Sequence, residues 1–186
     1  MGNDQAAELA RRPFDPDAIL AAIARGERAP GDFSMRIDHD GTWRYQGSPI
    51  TRLPLVKLFA GVLHRDQEGG YWLVTPFEQG RVEVEDAPFV AVELRATGQG
   101  RAQRLELRTN LDEWVTLGPD HPLRLAAGPD GAAVPYLRVR GGLDARVARS
   151  VFYHLVELAE PAPDADNGVV GVWSAGRFFP LGLVDG

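Results

Sequence analysis

The sequence predicts an α+β fold, mostly antiparallel in its sheet, that carries a duplicated strand, helix, strand motif. Three observations predict it. Short segments of alternating polarity follow one another between turn residues, two helical patterns interrupt them, and the two patterned blocks match at a nearly constant separation. The chain has 186 residues, 44% of them hydrophobic, which is enough for one large domain or two small ones sharing a core. We expect an N-terminal helical appendage over 1–29, a first α+β half over 30–85 and a second over 86–186, the two halves packed together.

Taken in order, Asp15 or Asp17 caps a short helix through Ile19, Leu20 and Ile23, and Gly26 stands where a glycine ends a helix. Met35-Arg36-Ile37-Asp38 and Thr42-Trp43-Arg44-Tyr45 flank His39-Asp40-Gly41, and Asp-Gly between alternating segments predicts a hairpin. Asp38 and Asp40 are therefore turn residues before they are metal ligands. Over 53–64, Leu55, Leu58, Phe59, Val62 and Leu63 recur at helical spacing, which predicts a helix buried on that face. Residues 71–75, 81–85, 89–96, 101–109, 113–117 and 122–126 read as strands of a meander, which favours antiparallel pairing.

The last block repeats the earlier order: a strand over 135–140, a helix over 143–158, a loop over 160–167, and strands over 169–173 and 177–181. Placing Arg44 on Arg138, Phe59 on Phe152 and Leu63 on Val156 gives offsets of 94, 93 and 93. That steadiness predicts that 43–74 and 135–173 superpose.

Four stretches together resemble a known family. Ile50-Thr51-Arg52-Leu53-Pro54-Leu55-Val56, Tyr71-Trp72-Leu73-Val74-Thr75-Pro76, Val84-Glu85-Asp86-Ala87-Pro88-Phe89 and Gly171-Val172-Trp173-Ser174 resemble the uncharacterised proteobacterial family catalogued as domain of unknown function 1285. The resemblance runs from about Ala18 to the C-terminus. It implies a duplicated α+β core whose second half is a pleckstrin-homology-type barrel, with a ligand site between the halves and a link to signalling. It implies no activity, because fold does not carry function.

Composition narrows the partners. A net charge of −6 and a pI near 5.2 leave no basic field for a nucleic acid polymer or an anionic membrane surface. Any anion must be caught locally. The chain has no cysteine, which removes disulfides, thiolate metal sites and cysteine nucleophiles and suits a reducing cytoplasm. The N-terminal segment carries charge and no apolar run, so neither a signal peptide nor a membrane span is expected.

Catalytic patterns fail in turn. No Gly-x-Ser-x-Gly elbow surrounds Ser150 or Ser174, and Lys57, the single lysine, follows no Gly-rich phosphate loop. Asp164-Ala165-Asp166-Asn167-Gly168 has the flavour of a calcium loop without its spacing or its closing glutamate. His64 and His154 lie toward the ends of the two predicted helices, neither with a second histidine at helical spacing. Glu83 and Glu85 share a strand face that reads as solvated, and the aromatics at strand spacing read as core. No enzyme, metal or cofactor is expected.

One constellation stands out. Arg138 and Arg140 lie two apart on a predicted strand, Arg146 and Arg149 three apart on the predicted helix after it, and Gly141-Gly142 joins the two. Helix amides and guanidinium forks in one place suit phosphate or carboxylate. Against this stand ion pairs with nearby acids, and Asp144 competes for the same amides. Arg52 and Lys57 flank the matching helix start in the first half and face the same cleft if the halves pack about a pseudo-dyad. The candidate ligand contacts are thus Arg138, Arg140, Arg146, Arg52 and Lys57. They fit a ligand-binding or sensory module holding a small anionic ligand, phosphorylated compounds included, between its halves. The alternative is a protein interaction domain that offers a sheet edge or groove to a protein partner.

Overall fold

The computed structural model describes residues 14–127, 133–163 and 168–183. Helix α1 (Pro16–Ala24) starts at Asp15, whose carboxylate accepts from the amides of Asp17 at 3.0 Å and Ala18 at 3.2 Å, and stops before Gly26 at φ +73°. Its Leu20 is buried against Trp72 and Val74, with Ile19 and Ile23 beside it. The capping signals predicted this helix because both act within one turn of the chain.

The first sheet contains β1 (Gly31–Ile37), β2 (Trp43–Tyr45), β3 (Ser48–Pro49), β4 (Leu63–Arg65), β5 (Tyr71–Val74) and β6 (Gln79–Val84), in the order β3-β2-β1-β6-β5-β4. The second contains β7 (Phe89–Thr97), β8 (Arg104–Thr109), β9 (Trp114–Thr116), β10 (Leu123–Ala127), β11 (Ala133–Arg140) and β12 (Leu143–Val147), in the order β10-β11-β12-β7-β8-β9. A third, β13-β14-β15, is formed by Glu160–Pro161, Val169–Ser174 and Arg177–Leu183. Successive strands pair antiparallel within β1-β2-β3, β4-β5-β6, β7-β8-β9, β10-β11-β12 and β13-β14-β15, but β6 and β7 lie in different sheets and β9 and β10 at opposite edges of one, so the single meander expected over 71–126 is broken at both places. The sheets themselves are mixed, because β1 pairs β6 and β12 pairs β7 in parallel. Each parallel pair joins two meanders through strands far apart in sequence, which periodicity does not register.

Helix α2 (Leu53–Gly61) buries Val56 and Ala60, and Leu58 is 65% exposed. The predicted face is thus displaced, and the chain leaves the helix in time for Leu63 and His64 to join β4. The predicted helix over 143–158 is a larger correction. Residues 143–147 form β12, and helix α3 (Arg149–Glu157) begins only afterwards. Gly141 and Gly142, at φ +47° and +79°, make a tight turn that sends the chain back along β11. Leu143, Ala145 and Val147 then alternate with Asp144 and Arg146, the period of a strand.

Element order and ladders recur along the chain. The series β1-β2-β3, α2, β4-β5-β6 has the same antiparallel ladders as β10-β11-β12, α3, β13-β14-β15. They differ in closure, since β1 pairs β6 but β12 pairs β7. One hydrophobic cluster spans both halves, from Ile37, Trp43 and Val56 to Phe89, Leu137 and Leu155. The halves also meet where Asn110 Nδ2 donates to the Gly41 carbonyl at 3.2 Å while its Oδ1 accepts from the Val90 amide at 3.0 Å.

Candidate functional site

The structure brings two of the five predicted contacts together and places the other three apart from them. Arg138 on β11 donates through Nε to Asp144 Oδ1 at 2.6 Å, and Arg124 on β10 donates to Asp144 Oδ2 at 2.8 Å. Arg146, on β12 rather than on a helix, sets its Nε 3.3 Å from Asp86 Oδ2, while the Tyr136 hydroxyl donates to Asp86 Oδ1 at 2.6 Å. Cross-strand pairing of Arg138 with Asp144 and of Tyr136 with Arg146 puts these four side chains on one face.

Arg140 does not share that face. A bulge after Arg138 pairs Arg140 with Leu143, and the extra residue turns its side chain to the opposite side of the sheet. There it donates to Glu113 at 2.6 Å and to the Ala60 carbonyl at 3.1 Å, with its guanidinium 5.2 Å from the centre of the Phe89 ring. It ties the second half to the end of α2. Lys57 donates to Asp112 at 2.9 Å, a carboxylate that Arg108 also holds at 2.9 Å. Arg52 stands exposed before α2.

The feature between the halves is a small pocket of about 120 Å³. Arg65 on β4 and Tyr71 on β5 supply one wall; Arg124, Tyr136 and Asp144 supply the other, and Asp86 on the link between β6 and β7 closes it. Arg65 lies against the Gly141-Gly142 turn. It donates to the Gly142 carbonyl at 3.3 Å and to the Gly69 carbonyl at 3.4 Å, 5.2 Å from the Tyr71 ring centre. Arg124 lies over Tyr136 at 4.6 Å.

Donor and acceptor capacities in this pocket are unequal. All four carboxylate oxygens of Asp86 and Asp144 already accept bonds or ion pairs from Tyr136, Arg146, Arg138 and Arg124. Arg65 has only carbonyl partners, and the Tyr71 hydroxyl has none among the described residues. The lining sets Arg65 and Arg124 against Asp86 and Asp144, and the charge becomes unequal through Arg138 and Arg146, which stand behind those aspartates. The surplus is therefore of N–H and O–H donors and of positive charge.

Burial first, then the Asp86 hydrogen bond and charge, push the Tyr136 hydroxyl up to about 12. Burial likewise raises Tyr71, opposed by Arg65 and reinforced by Asp144 and Asp86. Both phenols thus remain donors at neutral pH. Because the folded value of Tyr136 lies above its ordinary value of 10.0, this group's stabilisation is complete below about pH 10 and is lost as pH climbs through about 12. With Tyr136 only 7% exposed, the loss is on the order of 2 kcal/mol. Denaturation of the parent and of Tyr136→Phe across that range is expected to give stabilities that converge with rising pH. A constant difference would place the alkaline transition on another group.

Sequence reasoning missed Arg65, Tyr71, Arg124 and Asp86. Arg124 was legible only as the outward residue between Leu123 and Leu125. Arg65 carries no local signal, since its partner Gly142 is 77 residues away.

Other features are otherwise engaged. An open trough of about 990 Å³ runs over β1, β2 and β6, but Asp38 takes Arg36 at 3.2 Å and Arg44 at 2.5 Å, and Glu85 also pairs Arg36. Asp40 accepts from the Thr42 amide at 2.9 Å, the turn role read from the sequence. Ser174 is fully buried, donating to the Leu117 carbonyl at 2.6 Å and accepting from the Leu105 amide at 3.0 Å, so its hydroxyl fastens the third sheet to the second. His64, on β4, has its pKa lowered chiefly by burial, and His154 sits exposed in the last turn of α3. The calcium-like residues 164–167 lie outside the described residues. Among the described residues no group of three or more His, Asp or Glu is placed to hold a metal ion, and no helix is long and apolar enough to cross a membrane.

Fold and pocket together define a two-part α+β protein with a small pocket of arginine, aspartate and tyrosine side chains on the seam between its parts. Residues 27–87 match the family model described as "Domain of unknown function (DUF1285), N-terminal domain", and residues 88–181 match "Protein of unknown function (DUF1285), C-terminal domain". The chain belongs to the DUF1285 family. It is similar to the crystal structure of a DUF1285 family protein from Silicibacter pomeroyi DSS-3, with 39% identity and a TM-score of 0.76 over 96% of this chain and 94% of that one. It is also similar to a DUF1285 family protein from Shewanella baltica OS155, with 28% identity and a TM-score of 0.52 over 66% of this chain and 90% of that one. No curated protein matches the chain.

Proposed function

We propose that this protein is a binding module that holds a small oxyanion between its halves, with Arg65, Arg124 and the Tyr71 hydroxyl as contacts. The surplus of donors around a pocket whose carboxylates are already filled carries this reading. An oxyanion brings only acceptors and negative charge, so it complements what the pocket leaves unmatched. Arg138 and Arg146, predicted as contacts, act one layer back by holding Asp144 and Asp86. Arg140, Arg52 and Lys57 do not line the pocket and take no part. Because each half supplies a wall, occupancy couples to how the halves pack, which is the physical basis for a sensory role.

We also read the two series of ladders as copies of one ancestral unit. The shared element order and the offsets of 93 and 94 support this. The second half, with six strands of one sheet followed by α3, fits the pleckstrin-homology-type barrel that the family resemblance implied.

The test is calorimetric titration with inorganic phosphate and sulfate, alongside thermal unfolding. The parent is expected to bind and to melt higher, and Arg65→Met to bind about ten- to a hundredfold more weakly, because one charge-assisted bond contributes about 1.5–3 kcal/mol. Equal binding by parent and Arg65→Met, or none by a folded parent, overturns the assignment.

A further inference from the structure

We infer that the oxyanion is one end of a larger ligand, a phosphate monoester borne on an aromatic or aliphatic body that lies in the groove beside the pocket. The inference rests on the oxyanion reading above and adds the ligand's class. Asp86 and Tyr136 line both the pocket and a groove of about 650 Å³, so the two spaces share a wall. Beyond that wall Val134, Pro135, Phe152 and Tyr153 give the groove apolar surface, beside the polar Glu85 and Arg149 in the same lining. Tyr153 is 52% exposed, its ring presented to solvent with Arg149 donating to its hydroxyl at 3.1 Å. A free inorganic anion has no use for such a surface, whereas an apolar body attached to the anion covers it and removes it from water.

The charge count selects the head. Arg65 and Arg124 in the lining, with Arg138 and Arg146 behind the two aspartates, leave a local excess of two positive charges, which a phosphate monoester dianion balances and a single carboxylate does not. The Tyr71 hydroxyl adds a donor without adding charge, while the single O–H of Tyr136 is taken by Asp86, and a monoester presents three terminal oxygens to receive Tyr71 and the guanidinium groups.

The experiment compares inorganic phosphate, phenyl phosphate and benzoate by calorimetry on the full chain, with Arg65→Met, Tyr153→Ala and Val134→Ser as variants. Phenyl phosphate is expected to bind at least about tenfold more tightly than inorganic phosphate, and benzoate more weakly than phenyl phosphate. Tyr153→Ala and Val134→Ser are expected to remove the advantage of the phenyl group and leave inorganic phosphate binding unchanged, whereas Arg65→Met weakens both phosphates. Tyr153 is exposed, so that variant is expected to fold. Equal affinity for the two phosphates, with dependence on Arg65 intact, overturns the larger ligand and spares the oxyanion site. Benzoate binding as tightly as phenyl phosphate overturns the choice of phosphate. Failure of all three probes to bind the folded parent overturns both readings.

Discussion

Gly171→Ala is expected to lower the unfolding free energy by about 3 kcal/mol, the upper part of the range for overpacking a filled interior. Gly171 lies on β14 beside a register shift, and a Cβ built there overlaps the Phe179 carbonyl oxygen and comes within 2.8 and 2.9 Å of the Phe178 ring. The ring is held in place edge-on to Trp173 at 5.4 Å, so it has little freedom to retreat. The obstacle on the other side is main chain of the paired strand, which moves only if the ladder opens. Gly176→Ala is the control. It adopts φ +75° with nothing within 4 Å of a new Cβ, so conformational strain alone sets its cost, about 1 kcal/mol. Denaturant midpoints for the two variants measured side by side decide the matter. A Gly171→Ala protein no less stable than Gly176→Ala would mean that β14 and β15 yield far more easily than their packing indicates.

Asp144→Asn is expected to cost about 3 kcal/mol and at the same time to strengthen oxyanion binding about fivefold. Asp144 is 3% exposed and receives Arg138 and Arg124 at 2.6 and 2.8 Å. Removing the charge leaves both guanidinium groups facing an amide that can accept through one atom only. Breaking a buried pair in this way costs about 3–5 kcal/mol, and the lower end applies because the side chains of Arg124 and Arg138 are 47% and 38% exposed and can turn to water. The same change raises the surplus around the pocket from two positive charges to three, which favours an anion by about 1 kcal/mol at the effective dielectric of a half-exposed site. The gain is expected to shrink with added salt. Stability and phosphate affinity are read on the same sample at two salt concentrations. A folded Asp144→Asn protein with unchanged affinity would remove the electrostatic account of the pocket.

The two effects run in opposite directions for one physical reason. A carboxylate that neutralises arginines stabilises the fold and, on the proposed oxyanion reading, competes with the anion for them. Asp144 was read from the sequence as a helix cap competing for backbone amides. It lies instead on β12, where it caps no helix and holds Arg138 and Arg124.

Much of the local structure was legible because its causes are local. Asp15 and Gly26 delimit α1 within a turn of the chain, and Asp40-Gly41 between alternating residues specifies the β1–β2 hairpin. Residues 143–147 were misread because Leu143, Val147 and Val151 also fit a helical stripe. The Gly141-Gly142 turn and the pairing partners offered by β11 and β7 decide for a strand, and with it Arg146 moves from a helix to a sheet.

The sequence alone was enough for the α+β class, most of the strands, the hairpin and first helix, and the family, but not for β4 and β12, which it reads as helix. Each rests on periodicity, turn chemistry or motif within a short span. Tertiary structure alone decided the parallel pairings, the bulge that turns Arg140 away, and the meeting of Arg65 with Gly142 across 77 residues. A pocket on a seam is made of residues that share no local pattern. Their proximity is fixed by the common core that packs one half onto the other, and a free energy of packing is a property of the whole chain rather than of any segment.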